Sequence, residues 1–236
     1  MPYRRTENVV RRLAAREQAI LDAAAALAGA GGMHAVQIAE VAARADIAAG
    51  TVYRYFPSKA DLVAALIAQL ADRELAAMRA AADAAPGPLS ALAASAATFA
   101  ARALHARRLM WALTGEPVEP DIDALRRAFR QSLAGELAAR VAAAAGAGLL
   151  PELDAEIAAP AVIGALMEGL IGPFAPATAD AAAARELVQT ATLIALRALG
   201  VVDARARGLV AQCVLPDQFA PLVPAQAGTQ GHNHAA

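Results

Sequence analysis

Apolar positions recur at helical spacing through most of the chain. Ile20, Ala23, Ala24, Leu27 and Ala28 share one face and predict a helix over about 13–30, closed by Gly29, Gly31 and Gly32. Ile38, Val41, Ala42 and Ala45 predict a short second helix at about 37–44. A third short helix follows at about 49–55. The fourth opens at Ser58, an N-cap residue with Asp61 three positions later, and repeats Leu62, Leu66 and Leu70 inward to about 84. The APGP stretch at 85–88 breaks it. Further helices are predicted at about 88–104, 106–114, 119–146, 153–172, 180–199 and 203–213. Asp154 and Asp180 stand where helix starts favour a side-chain cap. Residues 1–12 lack the pattern and read as a basic arm. Residues 214–236, rich in Pro, Gln and Gly, read as a disordered tail.

Composition sharpens the fold class. Alanine supplies 71 of 236 residues, aromatics only 4%. Ala is the best helix former, and β-branched residues are sparse, so the expected fold is all-α. The length allows a sizeable core without metal or disulfide staples. The single Cys213 excludes an internal disulfide framework and a multi-cysteine zinc site. A cytoplasmic location is the default expectation. The first residues lack the apolar core of a secretory signal. Residues 159–179 carry one charge, Glu168, in 21 positions. That carboxylate near the middle, with Pro173 and Pro176, argues for a buried bundle helix over a membrane span, so no membrane partner is expected.

Charge points to one end. Residues 1–60 hold eight basic groups (Arg4, Arg5, Arg11, Arg12, Arg16, Arg44, Arg54 and Lys59) against five acidic ones, or +3, while the whole chain carries −1. A basic end on an acidic body suggests a nucleic-acid contact there. The same region contains VQIAEVAARADIAAGTVYRYFPSK at 36–59. Two short helices separated by a three- to four-residue turn have the layout of a helix-turn-helix. Ile38, Val41, Ala42, Ile47, Val52 and Phe56 supply its apolar face. Ala49, Gly50, Thr51, Tyr53, Arg54 and Tyr55 remain to face outward. A recognition helix of this kind presents its N-terminal residues to base edges in the major groove.

AILDAAAALAGAGG followed by IAEVAARADIAAGTVYRYFPSKADLVAAL is very similar to the N-terminal domain of the tetracycline-repressor (TetR) family. Gly50, Thr51, Tyr53, Phe56 and Lys59 stand where that family's pattern wants them. The resemblance covers about residues 13–70. It implies a DNA-binding domain at 13–62 and a helical ligand-binding and dimerisation domain at 63–213. It implies that Thr51 approaches bases or phosphate, that Tyr53 and Tyr55 contact the DNA backbone, and that Lys59 pairs with a phosphate. Ala39 occupies a position that often contacts DNA, and Arg44 is a further phosphate candidate. Two positions depart from the pattern. Asp46 replaces the usual turn glycine, and Ala48 replaces the usual Ser cap.

The function expected on this basis is a ligand-responsive regulator. It is a dimeric repressor on a palindromic double-stranded DNA operator, released by a small apolar or acyl-type effector. The helices at about 153–172 and 180–199, rich in small and aliphatic residues, are the expected homodimer interface. A pocket between the helices at 88–172 would draw on Phe99, Leu109, Met110, Trp111, Phe129, Leu133, Ile163, Met167 and Leu170. At helical spacing the same residues suit a core equally. Arg107, Arg108 and Glu116 are candidate polar anchors, and Glu168 a candidate pocket acid. No catalytic constellation, phosphate loop or HExxH is visible, so neither enzyme nor cofactor is expected. His232 and His234 in the tail are too few for a metal site. The alternative is a helical carrier or enzyme that does not use DNA.

Overall fold

A computed structural model describes residues 3–116 and 120–213, and the predicted tail at 214–236 lies outside them. The described residues form ten α-helices and one 3₁₀ turn, without strands. The head comprises α1 (Tyr3–Gly31), η1 (Met33–Ala35), α2 (Ile38–Arg44) and α3 (Ala49–Tyr55). The long α4 (Lys59–Asp83) leads into a body of α5 (Pro88–His105), α6 (Arg107–Thr114), α7 (Pro120–Gly146), α8 (Ala155–Leu170), α9 (Ala181–Ala198) and α10 (Asp203–Gln212).

Three predicted caps form hydrogen bonds. Ser58 Oγ accepts from Asp61 N–H at 3.1 Å and donates to the Asp61 carboxylate at 2.7 Å. Asp154 and Asp180 accept from the amides of Glu156 and Ala183. Each cap satisfies a helix donor otherwise left to water and contributes about 1 kcal/mol.

The arm differs from its sequence reading, because α1 is already helical at Tyr3. Arg, Glu and Ala are strong helix formers, and Glu7 pairs with Arg11 one turn away at 3.9 Å. Apolar periodicity is missing because the turns over residues 7–19 bury no side chain, and Ile20 is the first buried residue among those described.

α5 occupies the centre of the body, packed against α4, α7, α8 and α9. Its alanines let neighbouring helices approach closely, while Leu89, Leu92 and Phe99 fill the space between them. One charge pair crosses this core. Glu74 on α4 is fully buried and accepts from Arg102 of α5 at 2.8 and 2.9 Å. The α8 segment read as a possible span has 16 residues, and no helix among the described residues is long and apolar enough to cross a membrane.

Candidate nucleic-acid interface and effector cavity

The head is built around α3. Val52 is fully buried and Phe56 nearly so, and both pack with Val41 and Ala42 of α2. That anchoring leaves the opposite face to solvent. Ala49, Gly50 and Arg54 are exposed, Tyr53 is 52% exposed, and Thr51 is half-buried. A side chain added at Gly50 would meet nothing within 4 Å, so another molecule could approach the backbone there. Tyr55 is half-buried against the core, which leaves only part of its ring available. Ala39 and Arg44 on α2 are exposed, and Lys59 at the start of α4 is half-buried. Arg44, Arg54 and Lys59 form no ion pair among the described residues, so their charge is available.

The turn between α2 and α3 accommodates both departures from the family pattern. Asp46 adopts φ 53°, the left-handed conformation that glycine reaches most cheaply. Ala48 occupies the N-cap of α3 with no side-chain bond. The backbone closes the turn instead, through Ile47 N–H to Ala42 O at 3.0 Å and Thr51 N–H to Ala48 O at 2.8 Å.

The helical arm adds a feature that the sequence pattern did not reveal. A groove of about 680 Å³ runs between the exposed turns of α1 and α3. Arg12 and Arg16 line it from α1, Thr51 and Arg54 from α3. Arg12 and Arg16, one turn apart on the same helix face, also lack an ion pair among the described residues.

The body contains a second concavity. A cavity of about 450 Å³ opens between α6, α7 and α8. Trp111, Ala138, Ile163, Met167 and Ile171 give it apolar walls, and Arg130, Gln131, Glu156 and Glu168 give it polar ones. The structure thus brings Trp111, Met167 and Glu168 together. It does not bring Phe99, Met110 and Phe129 to this cavity. All three are buried in the core. Arg107 is committed elsewhere, donating to the carbonyls of Ala175 and Pro176 at 2.6 and 2.8 Å. Arg130 and Gln131 went unrecognised because they lie in a polar stretch of α7 with no local signal.

Arginines hold the C-terminal end of α6. Arg126, almost fully buried, donates to the carbonyls of Ala112 and Glu116, and Arg130 donates to Thr114 O at 2.6 Å. Burial pushes the Arg126 guanidinium below its ordinary pKa, while Glu116 and Asp123 oppose that shift. Cys213, by contrast, is only desolvated, which raises its thiol pKa and favours the unreactive protonated form. Among the described residues no group of three or more His, Cys, Asp or Glu could hold a metal, and His232 and His234 lie outside them.

Comparison with known proteins places this geometry. The family described as "Bacterial regulatory proteins, tetR family" matches residues 20–66. The HTH-type transcriptional repressor KstR of Rhodococcus jostii is 53% identical over 58 residues, 25% of this chain and 27% of that protein. The match therefore spans about a quarter of that relative's length. Among solved structures, RolR in complex with resorcinol aligns with a TM-score of 0.62 at 19% identity, over 88% of this chain and 98% of that one. FadR from Bacillus subtilis in complex with stearoyl-CoA aligns with a TM-score of 0.64 at 17% identity, over 78% and 98%. At such identities the likeness is one of fold, and it extends through the body. Residues 20–66 thus resemble the tetR family of bacterial regulatory proteins, and beyond them the likeness is one of fold.

Proposed function

We propose that this protein is a ligand-responsive transcriptional repressor that binds DNA as a homodimer. The observation that carries the reading is the head. Its α3 is anchored by Val52 and Phe56 and turns Ala49, Gly50, Thr51, Tyr53 and Arg54 outward, flanked by Arg44 and Lys59, which form no ion pair among the described residues. Small residues at the start of α3 allow close approach to base edges, and the cations beyond them suit phosphates. Tyr55 contributes less, through its exposed part. The groove arginines Arg12, Arg16 and Arg54 extend the basic surface and would meet the backbone beside the major groove.

Two copies would pair through α8 and α9. Their outer faces leave Ile157 69% and Ile194 55% exposed beside small residues such as Ala161, Gly164 and Ala165. Small residues let the helices of two protomers pack closely, and the symmetry of such a pair calls for a palindromic operator. The effector is a small molecule with an apolar body, seated against Trp111, Ile163 and Met167. Its polar atoms would meet Arg130, Gln131 or Glu168. A volume of about 450 Å³ suits such a ligand. The neighbours that hold stearoyl-CoA and resorcinol support a small-molecule effector as a class. A regulator of this kind works in the cytoplasm.

Selection of bound duplexes from fragmented genomic DNA tests the reading. Enrichment of a palindromic site by the parent chain, lost in Thr51→Ala/Tyr53→Ala, is the expected result. Enrichment of no sequence by a folded dimer would reject it.

A further inference from the structure

The side chains that wall the cavity also hold the segment that touches the head. Trp111 lies over Gly115 so closely that a Cβ added there would come within 2.3 Å of its ring. Arg130, on another wall, holds Thr114 O at 2.6 Å. With the Arg126 bonds to Ala112 O and Glu116 O, these two contacts fix the backbone leading to Glu116. The Glu116 carboxylate then crosses to the head, where Oε2 accepts from the Met33 amide at 2.8 Å, 83 residues away in sequence. It lies tightly against Gly32, where an added Cβ would fall 2.5 Å from Oε1. Gly32 adopts φ 80°, so both the close approach and the backbone conformation exclude a larger residue.

Met33 opens η1, and η1 leads within three residues to α2. No side chain of the head caps that turn. A carboxylate from the body supplies the acceptor instead, a charge-assisted bond of the stronger kind. Trp111 and Arg130 therefore reach η1 and α2 through one short chain of contacts: α6 end, Glu116, Met33.

We infer that Glu116 is the positioning residue that couples the effector cavity to the DNA-reading head. This rests on the proposed function and adds its route of regulation. A ligand that displaces Trp111 or Arg130 shifts the Glu116 backbone and loosens its hold on Met33. By thermodynamic reciprocity, DNA that reorients the head must alter the cavity. Trp111 is the sole tryptophan of the chain, so its emission reports the cavity directly.

The experiment titrates the full-length protein with a duplex carrying the selected site. Duplex anisotropy reads binding, and Trp111 emission reads the cavity. In the parent chain the emission should shift with the same midpoint as binding. Glu116→Ala, which mimics the loosened state, should bind several-fold more weakly than the parent and lose the shift. Glu116→Gln, which keeps an acceptor oxygen, should retain part of it. A purely structural Glu116 would leave the shift intact in every variant that binds, and that result overturns the inference. So does a parent chain that binds without any shift.

A DNA-free measurement separates this inference from the DNA reading. Arg130→Ala removes an exposed side chain's hold on Thr114, and it should speed hydrogen exchange at the Met33 amide about tenfold or more. If no duplex binds, the DNA reading fails, and exchange alone decides whether cavity and head are linked. Unchanged exchange at Met33 overturns the link.

Discussion

Arg102→Met removes the partner of the one carboxylate that crosses the core fully buried. Glu74 accepts two hydrogen bonds from Arg102, at 2.8 and 2.9 Å. With the charge centres about 4 Å apart and an effective dielectric constant of about 20, their attraction is about 4 kcal/mol. Losing one partner strands the other, and measured costs for such losses are about 3–5 kcal/mol. Against a total stability of about 5–15 kcal/mol this is a large fraction. Urea unfolding, followed by far-ultraviolet circular dichroism at one fixed protein concentration, measures it. With a slope of about 2 kcal/mol per molar, the midpoint should fall by about 2 M. The double variant Glu74→Met/Arg102→Met should recover most of the loss, because two apolar chains of similar length leave no charge unpaired. A single-variant cost below about 1 kcal/mol would refute the reasoning. So would a double variant no more stable than the single one.

Three further outcomes follow from the structure. Asp46→Gly should raise stability by about 0.5–1 kcal/mol, seen as a higher Tm, because glycine adopts the left-handed turn without strain. Burial alone would raise the Glu136 pKa, but hydrogen bonds from Arg79 and Arg140 outweigh it and hold the group below its ordinary 4.5. Its stabilisation is therefore full above about pH 4.5 and fades as pH falls through the lower folded value. Glu136→Gln should unfold more easily than the parent at pH 7, and acid titration of the urea midpoint should show that gap closing below pH 4.5. Arg12→Ala and Arg16→Ala should each reduce the slope of log affinity against log salt by about 0.9, while preference for the selected site over a scrambled one persists.

The helices and their boundaries were largely legible because strong punctuation separates strongly periodic runs. Gly31 and Gly32 close α1, Ser58 opens α4, and Asp154 and Asp180 open α8 and α9. The head was legible in greater detail because a helix-turn-helix concentrates its anchors and exposed positions within about 25 residues. The helical arm was missed for a physical reason. Apolar periodicity records burial, and turns that bury nothing leave no period even when Arg and Glu favour helix.

The body was less legible. Phe99 and Met110 share the spacing of Trp111 and Met167, yet the first two fill the core and the second two wall the cavity. Periodicity states which face is buried, and it cannot separate close packing from a void. The Glu74–Arg102 and Glu116–Met33 contacts join positions 28 and 83 residues apart. Such pairings depend on how helices cross, which no local pattern encodes. Glu116, read from the sequence as a candidate polar anchor, accepts a hydrogen bond from the Met33 amide of the head.

Fluorescence anisotropy of the purified chain on a duplex carrying the selected site, beside a scrambled duplex at two salt concentrations, tests the central claim most directly. Binding to the selected site should be about 10³-fold tighter than to the scrambled duplex. Binding to both duplexes should weaken as salt rises. A folded dimer that binds neither duplex at low salt would contradict the account and favour a helical carrier that does not use DNA.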